Sequence, residues 1–427
     1  MLLLLLVPFA ILLFAGMPVA FGMMLATILY LGATGESLTV LAQKMGNAPD
    51  SFTLLGLPLF LLAGSLMNQG GMTERLVRFS QAVVGHLTGG LGHVAVVSNM
   101  IMAGMSGSAT ADAAGTGAIL IPAMRRAGFG ASFSAALLAS AATIGPIIPP
   151  SIPMILYGSL ADVSVGRLFL GGAVPGVFMG LYLMVAVYLV ARRRGYAAAP
   201  RASSRELYES TRGALLALLM PGIILGGIFT GITTPTEAAA IAVAYAFVIG
   251  AFVYRAFTWA SLRGVLLETA VTTAVVLFLV AAAFPFAWVL TTARAGDALI
   301  AALQTVSSSP AVVLMLINAL VLFLGCFMEA GTILIVLTPI LTPGLRAIGV
   351  DPVHFGVVLT LGCMIGLVTP PVGMAMYICC RIAGVSIADF AREVGPFLVA
   401  LVAVLVMITY LPDLVVFLPN LILGRGR

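Results

Sequence analysis

The stretch Gly104–Pro150, GMSGSATADAAGTGAILIPAMRRAGFGASFSAALLASAATIGPIIPP, has a counterpart in Gly325–Pro371, GCFMEAGTILIVLTPILTPGLRAIGVDPVHFGVVLTLGCMIGLVTPP. The two stretches lie a constant 221 residues apart, since 325 − 104 and 371 − 150 both equal 221. At this offset the coinciding residues are Gly104 and Gly325, Pro122 and Pro343, Arg125 and Arg346, Gly128 and Gly349, Gly145 and Gly366, and Pro149-Pro150 and Pro370-Pro371. Two halves with a Gly- and Pro-interrupted apolar segment in the same place indicate a secondary transporter whose site lies between structural repeats.

The composition is that of a membrane protein. Of the 427 residues, 61% are hydrophobic and 8% are charged, whereas a soluble globular chain carries about 25% charged residues. Several apolar runs are long enough to cross a bilayer, and they lack the alternating polarity of barrel strands. We therefore expect an all-α polytopic protein embedded in the lipid bilayer. The net charge of +5 comes mostly from arginines near helix ends and does not indicate nucleic-acid binding.

Polar residues divide the chain into five regions. The regions are 1–90, scaffold helices of the first repeat with an interfacial arm helix; 91–191, the first transport region with hairpin 1 and a broken helix; 192–212, a cytoplasmic loop; 213–308, scaffold helices and arm helix of the second repeat; and 309–427, the second transport region with hairpin 2, a broken helix and the last helix. The loop is assigned to the cytoplasm because it holds six arginines and two glutamates. We expect the repeats to be inverted.

Four segments have predicted helix limits that a structure can test. Residues 1–31 form either one long tilted helix or two short ones, because a glycine and a proline interrupt them. Residues 71–90 carry charges among apolar residues at helical spacing, which predicts an amphipathic arm at the membrane interface. A similar stretch in the second half contains Arg294 and Asp297, and the last helix is expected near 395–420.

The run GMSGSATAD could bind a small cation at membrane depth. Closely spaced Gly and Ser allow a tight turn, which frees backbone carbonyls from the helical ladder. Freed carbonyls and hydroxyl oxygens suit a hard cation such as Na⁺, and the candidates are Ser106, Gly107, Ser108 and Thr110. The alternative is that small residues only allow helices to pack closely.

The double-proline motifs favour the first of these interpretations. Proline lacks the backbone donor and clashes with the carbonyl one turn back, so IGPIIPP and GLVTPP cannot remain helical. Each break leaves carbonyls and half-helix ends that could coordinate a cation, while helix N-termini favour an anion. Two such breaks at matching positions indicate an ion or substrate site.

Charged residues inside apolar segments are functional candidates because their burial in a membrane is costly. Asp112 and Glu329 lie in the two interrupted segments, where each either contacts a coupling ion or caps a short helix. Arg381 either attracts an anionic substrate or extends to the membrane interface. Glu237 follows Thr234 and Pro235 in a pattern that predicts a helix start.

Catalytic and ATP-binding motifs are absent from the sequence. There is no HExxH, no GxSxG and no Walker loop. The three histidines and four cysteines do not show metal-ligand spacing. We therefore expect a protein that is not an enzyme, with no organic cofactor and no transition metal, driven by an ion gradient.

Several long motifs resemble one family across nearly the whole chain. GMSGSATADAAGTGAILIPAMRRAGF resembles the first hairpin of the large membrane subunit of tripartite ATP-independent periplasmic (TRAP) transporters. GCFMEAGTILIVLTPILTPGLRAIGVDPVHFGVV and IGLVTPPVGMAMY resemble its second hairpin and following helix, and TPTEAAAIAVAYAF resembles a further family segment. The resemblance implies a sodium-coupled importer of the bacterial inner membrane, in which a transport domain moves like an elevator against a scaffold.

The resemblance also implies partners and a substrate class. A small membrane (Q) subunit would complete the scaffold, and because this sequence begins at the large subunit's first helix, we expect it to be a separate chain. A periplasmic binding protein would deliver an organic acid, and C4-dicarboxylates, sialic acid and other sugar or keto acids all remain open. The alternative is a related sodium/divalent-anion symporter that works without a binding protein.

Family sodium sites lie between each hairpin tip and the neighbouring broken helix. Carried onto matching positions, the first site comprises Ser106, Gly107, Ser108, Thr143 and Pro149, and the second Gly325, Met328, Thr369 and Pro370. The candidates for substrate contact are Thr110, Asp112, Glu329 and Arg381.

Overall fold

The computed structural model describes residues 2–47, 52–296, 301, 305, 307 and 309–424. Within these ranges the chain forms helices joined by turns and short connections. The helices are α1 (Leu3–Phe14), α2 (Val19–Thr34), α3 (Thr39–Asn47), α4 (Gly56–Gln69), α5 (Met72–Val84), α6 (Gly90–Ser106), α7 (Ala109–Arg126), α8 (Ala131–Ala142), α9 (Ile152–Ala161), α10 (Val165–Arg194), α11 (Ser204–Phe229), α12 (Pro235–Val248), α13 (Trp259–Thr292), α14 (Pro310–Gly325), α15 (Ala330–Ala347), α16 (Pro352–Gly366), α17 (Met374–Ala383), α18 (Ile387–Tyr410) and α19 (Asp413–Leu423).

Six of the described helices are long and apolar enough to cross a membrane. They are α10, α11, α12 with its π-helical extension Ile249–Val253, α13, α15 and α18. A seventh span results if α4 and α5, which meet at a bend of 70°, are counted as one. Because the backbone bonds of a helix are satisfied within the helix, this architecture suits a bilayer. The expected all-α polytopic fold is confirmed.

The first predicted segment consists of two short helices. Gly16 adopts a φ of +83° between α1 and α2, a conformation that glycine adopts without steric cost. The two helices then lie side by side, with the Phe9 ring 3.7 Å from the Cβ position of Gly22. A single tilted helix through residues 1–31 is therefore wrong.

The first arm segment forms the amphipathic helix α5. It buries Met72, Leu76 and Val77 on one face and exposes Glu74 and Arg78 on the other. This confirms the helical periodicity read from the sequence. In the second half, Arg294 follows α13, whereas Asp297 and the predicted region boundary at residue 308 lie outside the described residues.

Capping residues explain two helix starts. The Ser203 backbone N–H donates to Glu206 Oε2 at 2.8 Å, and the Ser203 hydroxyl accepts from the Glu206 N–H at 3.2 Å. This capping box begins α11 at residue 204, so the connection after α10 is only 195–203 rather than the predicted loop 192–212. Thr234 and Glu237 form a second capping box at the start of α12, as the sequence predicts.

The prediction of one last helix near 395–420 is wrong. The structure has two helices there, α18 and α19. The Ser386 hydroxyl accepts from the Asp389 N–H at 3.1 Å, which starts α18 eight residues earlier than expected. Pro412 ends α18, because the residue before a proline is disfavoured in the helical conformation.

Corresponding positions of the two halves adopt corresponding local structure. The helices α7 and α15 are offset by 221 residues at both ends, since 330 − 109 and 347 − 126 both equal 221. Further along, Asp162 and Gly384 both end helices in the left-handed conformation. Two residues later, Ser164 and Ser386 both cap the next helix. The correspondence of sequence therefore extends to the helix limits.

The helices pack into two groups that meet mainly where α5 and α4 contact α6 and where α13 contacts α15. The outer group comprises α1–α5 and α11–α13, and the hairpin group comprises α6–α10 and α14–α19. Within the hairpin group the halves interleave, because α7 packs against α17 while α15 packs against α9. The α9–α16 contact is close: the Tyr157 hydroxyl donates to the Pro352 carbonyl at 2.8 Å, and its ring lies against Gly356.

The substitution Gly356→Ala is expected to lower thermal stability. The added methyl group would collide with the buried Tyr157 ring, and overpacking of this kind costs about 1–3 kcal/mol. The control is Gly264→Ala in α13, where nothing lies within 4 Å of the added carbon. Alanine there should keep or raise stability by up to about 1 kcal/mol. Equal unfolding midpoints of the two purified variants would contradict the close α9–α16 contact.

Candidate functional site

A cavity of about 200 Å³, here called the central cavity, lies where the interrupted segments of both halves meet. We call Ser106–Ala109 the first tip and Gly325–Ala330 the second tip, with the first break at 143–151 and the second break at 367–373. Both tips, both breaks and the outer helices α4 and α13 contribute to its wall. The lining residues are Leu61, Gly107, Ser108, Ala109, Thr110, Pro146, Ile152, Pro153, Leu156, Thr272, Val275, Val276, Leu279, Glu329, Ala330, Gly331, Ile335, Met364, Leu367 and Met374.

Four helices begin at the central cavity. Their first residues, Ala109 of α7, Ile152 of α9, Ala330 of α15 and Met374 of α17, all line its wall. The first backbone N–H groups of a helix have no partner within it and carry its positive partial charge. The cavity is therefore suited to an anion.

Serine side chains cap the two helix starts of the first half, whereas the two helix starts of the second half have no side-chain cap. The Ser108 hydroxyl accepts from the Ala111 N–H at 3.4 Å, and the Ser151 hydroxyl accepts from the Met154 N–H at 3.2 Å. At the equivalent positions of the second half, Glu329 and Gly373 make no side-chain capping bond. The N-termini of α15 and α17 therefore keep more of their donors for a ligand.

The first tip contacts the first break. Gly107 has a φ of +60°, and a Cβ on this residue would lie 2.5 Å from the Pro150 carbonyl oxygen. The Ile152 N–H donates to the Gly107 carbonyl at 3.5 Å. The Ser108 and Thr110 hydroxyls are 3.1 Å apart at the cavity wall. The structure thus brings together Gly107, Ser108 and Thr110, which the sequence analysis selected.

Asp112 lies behind the first tip rather than in the central cavity. It is fully buried, and its Oδ1 accepts a hydrogen bond from the Ser106 hydroxyl at 2.5 Å. Its Oδ2 contacts Gly145 at the first break and has no hydrogen-bond partner among the described residues. The carboxylate caps no helix. Asp112 does not line the central cavity, so the structure gives no support to its contact with substrate there.

The other first-site residues lie around the same break. Thr143 is buried, and its hydroxyl donates to the Ser140 carbonyl at 2.6 Å. The Pro149 carbonyl lies 3.9 Å from the Cβ position of Gly104. Ser151, which the sequence analysis missed, donates to the Pro146 carbonyl at 2.5 Å. A serine directly before an Ile-Pro helix start is the signal that could have identified it.

The second tip contacts the second break through two glycines. The Cβ position of Gly325 is 2.8 Å from the Gly366 Cα, so no side chain fits between α14 and α16. The Val372 N–H donates to the Cys326 carbonyl at 3.2 Å. The Thr369 hydroxyl, next to Pro370, donates to the Ile365 carbonyl at 2.8 Å. This arrangement parallels the contact of the first tip with its break.

The remaining candidate residues from the sequence analysis do not all lie at the central cavity. Glu329 lines the central cavity and also a neighbouring apolar cavity of about 630 Å³ between α1, α2, α14 and α15, where Met328 lies. Arg381 is exposed on α17 and does not line the central cavity, so the structure gives no support to its contact with substrate. Thr272 and its neighbours on α13 do line the cavity, but no sequence signal distinguishes them from other residues of an apolar span.

Two interrupted helix pairs around one cavity define a helical membrane transporter. The chain belongs to the DctM component family of the tripartite ATP-independent periplasmic transporters, whose family model matches residues 6–414. It is therefore a large permease subunit and a multi-pass protein of the bacterial inner membrane. Large permeases of this family work with a small membrane subunit and a periplasmic binding protein.

Named relatives are permeases rather than enzymes. The chain is 44% identical over 417 residues to the sialic acid TRAP transporter large permease protein SiaM of Vibrio cholerae, covering 97% of this chain and 98% of that protein. It is 40% identical to the C4-dicarboxylate large permease DctM of Pseudomonas aeruginosa, covering 90% of each. It is 39% identical to the sialic acid permease SiaT of Haemophilus influenzae, covering 97% of this chain and 67% of that protein.

Solved structures share the fold at low sequence identity. The Alcanivorax borkumensis YdaH transporter superposes with a TM-score of 0.61 at 16% identity, covering 88% of this chain and 87% of that one. Neisseria gonorrhoeae MtrF superposes with a TM-score of 0.60 at 12% identity, covering 87% and 83%. Both are transporters, which agrees with the helical fold described above.

The substitution Gly107→Ala is expected to reduce solute uptake about tenfold or more. The added methyl group would push the first tip away from the Pro150 carbonyl, at a cost of about 1–3 kcal/mol. Gly128→Ala is the matched control, because Gly128 is also left-handed, with a φ of +84°, but has nothing within 4 Å of its Cβ position. Uptake by proteoliposomes should separate the two variants. Equal losses would mean that the left-handed backbone, and not the tip contact, limits transport.

Proposed function

We propose that this chain uses a sodium gradient to import an organic acid that a periplasmic binding protein delivers. The hairpin group would act as the transport domain and move like an elevator against the outer group. A small membrane subunit, present as a separate chain, would complete the scaffold. The observation that carries the proposal is the convergence of four helix N-termini on the central cavity.

An organic acid fits this cavity because its carboxylate needs hydrogen-bond donors. The uncapped starts of α15 and α17 offer free N–H groups, and the Ser108 and Thr110 hydroxyls offer further partners. The wall is otherwise mostly apolar, as in small-molecule sites where a few polar groups fix the ligand. The names of the relatives place sialic acid and C4-dicarboxylates among the solutes to test first.

Sodium coupling is supported by the charges near the cavity. Glu329 is the only charged residue among the described residues of its wall, so an anionic substrate there needs compensating cations. Near the first break, the fully buried Asp112 has an unpartnered carboxylate oxygen beside Ser106 and the released backbone. Carboxylate, hydroxyl and carbonyl oxygens are the ligands that Na⁺ accepts. These residues would hold the first ion, and the second tip would hold the other.

An elevator movement is supported by how the two groups touch. A Cβ atom added to Gly64 of α4 would lie 3.2 Å from the Ser106 Cα at the first tip. Gly104 of α6 lies against Pro221 of α11 in the same way. Small residues at these crossings let the two groups approach closely with few interlocking side chains, an arrangement that would suit a sliding movement. The interleaved halves of the hairpin group would move as one body.

The first experiment is uptake by proteoliposomes that contain this chain and its small subunit. An inward sodium gradient is imposed with and without the cognate binding protein, using sialic acid and C4-dicarboxylates. We expect uptake only when both the gradient and the binding protein are present. Sodium-driven uptake that ignores the binding protein would favour the lone symporter, and uptake without sodium would contradict the ion sites.

The substitution Asp112→Asn is expected to raise the sodium concentration for half-maximal uptake about tenfold or more, because the neutral amide is a weaker cation ligand. Asp162→Asn is the control, since Asp162 is exposed and left-handed, a conformation that asparagine tolerates. Thermal unfolding should show that both variants are folded. A folded Asp112→Asn protein with unchanged sodium dependence would remove Asp112 from the ion site.

A further inference from the structure

A second cavity, of about 560 Å³, lies far from the tips, at the corner where α5 turns into α6. We call it the corner groove. Its wall combines the outer face of α10 with the α5–α6 corner and one residue of the connection 195–203. The lining residues are His86, Leu87, Thr88, His93, Leu181, Met184, Val185, Tyr188 and Arg201. The transport mechanism proposed above uses none of them.

One side of the corner groove is an apolar stripe. Leu181, Met184, Val185 and Tyr188 stand at positions i, i+3, i+4 and i+7 and therefore share one face of α10. Leu181 is 48% exposed and Val185 is 58% exposed, and α10 is long and apolar enough to cross the membrane. In a bilayer such a face is covered by hydrocarbon.

The other side is polar and basic. Arg201 forms no ion pair within the described part of the chain, and an adjoining cavity of about 400 Å³ brings it near Arg78. Glu206 also lines that adjoining cavity, but its carboxylate is bonded to the Ser203 N–H and hydroxyl at 2.8 and 3.1 Å. These bonds leave the Glu206 carboxylate charged, so it offsets one of the two arginines and a net positive charge remains on this side of the groove.

One residue of the groove wall has a buried polar atom without a partner. His93 is only 3% exposed, and its Nε2 lies 3.1 Å from the Thr88 carbonyl. Its Nδ1 has no hydrogen-bond partner among the described residues. A buried polar atom left unpaired is costly, so a polar group of a ligand that reached His93 would be stabilised there.

We propose that the corner groove binds an anionic glycerophospholipid. Its phosphate would lie against Arg201 and His86, a polar headgroup substituent would reach His93 Nδ1, and one acyl chain would cover the α10 stripe. The arginine-rich connection next to the groove places it at the cytoplasmic leaflet, where basic pockets between helices bind anionic headgroups. The bound lipid would sit where α5 of the outer group joins α6 of the hairpin group.

Native mass spectrometry of protein taken from bilayers of phosphatidylglycerol and phosphatidylcholine tests this proposal. Wild-type protein should retain one phosphatidylglycerol after detergent washing, and Arg201→Ala should retain it about fivefold less, as expected for one arginine at a headgroup. Arg205→Ala is the control, because Arg205 lies only four residues further along, in the first turn of α11, but pairs with Glu209 at 2.8 Å and does not line the groove. Equal retention by the two variants, or equal retention of the two lipids, would overturn the proposal.

A second pair of variants tests the acyl-chain contact. Val185→Gln should lower lipid retention, whereas Val399→Gln, at a 70% exposed position of α18, should not. Excess glycerol phosphate should leave the bound lipid in place. If glycerol phosphate displaced it, the groove would be a site for a soluble anion and the lipid assignment would be wrong.

Discussion

The structure depends on the need to satisfy backbone groups that helix breaks release inside an apolar environment. Glycines and prolines interrupt four helices, and the released groups have no water to bind at membrane depth. In each half, a backbone carbonyl of the tip accepts a hydrogen bond from a backbone N–H at or directly after the break. The Ile152 N–H bonds the Gly107 carbonyl at 3.5 Å, and the Val372 N–H bonds the Cys326 carbonyl at 3.2 Å. These pairings bring four helix starts to one cavity, so the site follows from the way the fold completes its hydrogen bonds.

Close helix approach is the second condition for this arrangement. Gly325 and Gly366 touch through their Cα atoms, which allows α14 and α16 to cross at the second tip. At the first tip the same role falls to Gly107, which meets the Pro150 carbonyl. Larger residues would separate tip and break, and the backbone groups of both would lose their partners. Small residues therefore shape the cavity as well as the packing.

The described wall of the central cavity carries a single charged side chain. No cationic side chain lines the central cavity in the described part of the chain, and the one charge there is the Glu329 carboxylate. Helix starts supply positive partial charge, but each is equivalent to only about half an elementary charge and acts within one turn. An anionic substrate would thus need cations bound nearby. This links the proposed substrate and the proposed coupling ion through one electrostatic requirement, with the unpartnered oxygen of Asp112 as a candidate ligand.

The sequence by itself determined the class of protein and the positions of its breaks. Low charge and long apolar runs require a helical membrane protein, and local rules place the tips at Gly107 and Gly325 and the breaks at the double prolines. Capping signals alone gave the start of α12 at Thr234. The start of α18 at Ile387 lies eight residues before the predicted limit, because the prediction followed the apolar run and α18 begins in the polar stretch 386–393 that precedes it.

Only the tertiary structure decided which side chains meet. Asp112 and Glu329 are each the acidic residue of an interrupted segment, yet one is buried against the first break and the other lines the cavity. Arg381 follows the second break closely but is exposed and does not line the central cavity. The contributions of α13 and the exchange of partners between the two halves are also invisible in the sequence. The direction of a side chain depends on how helices far apart in the chain pack against each other, and local sequence patterns do not contain that information.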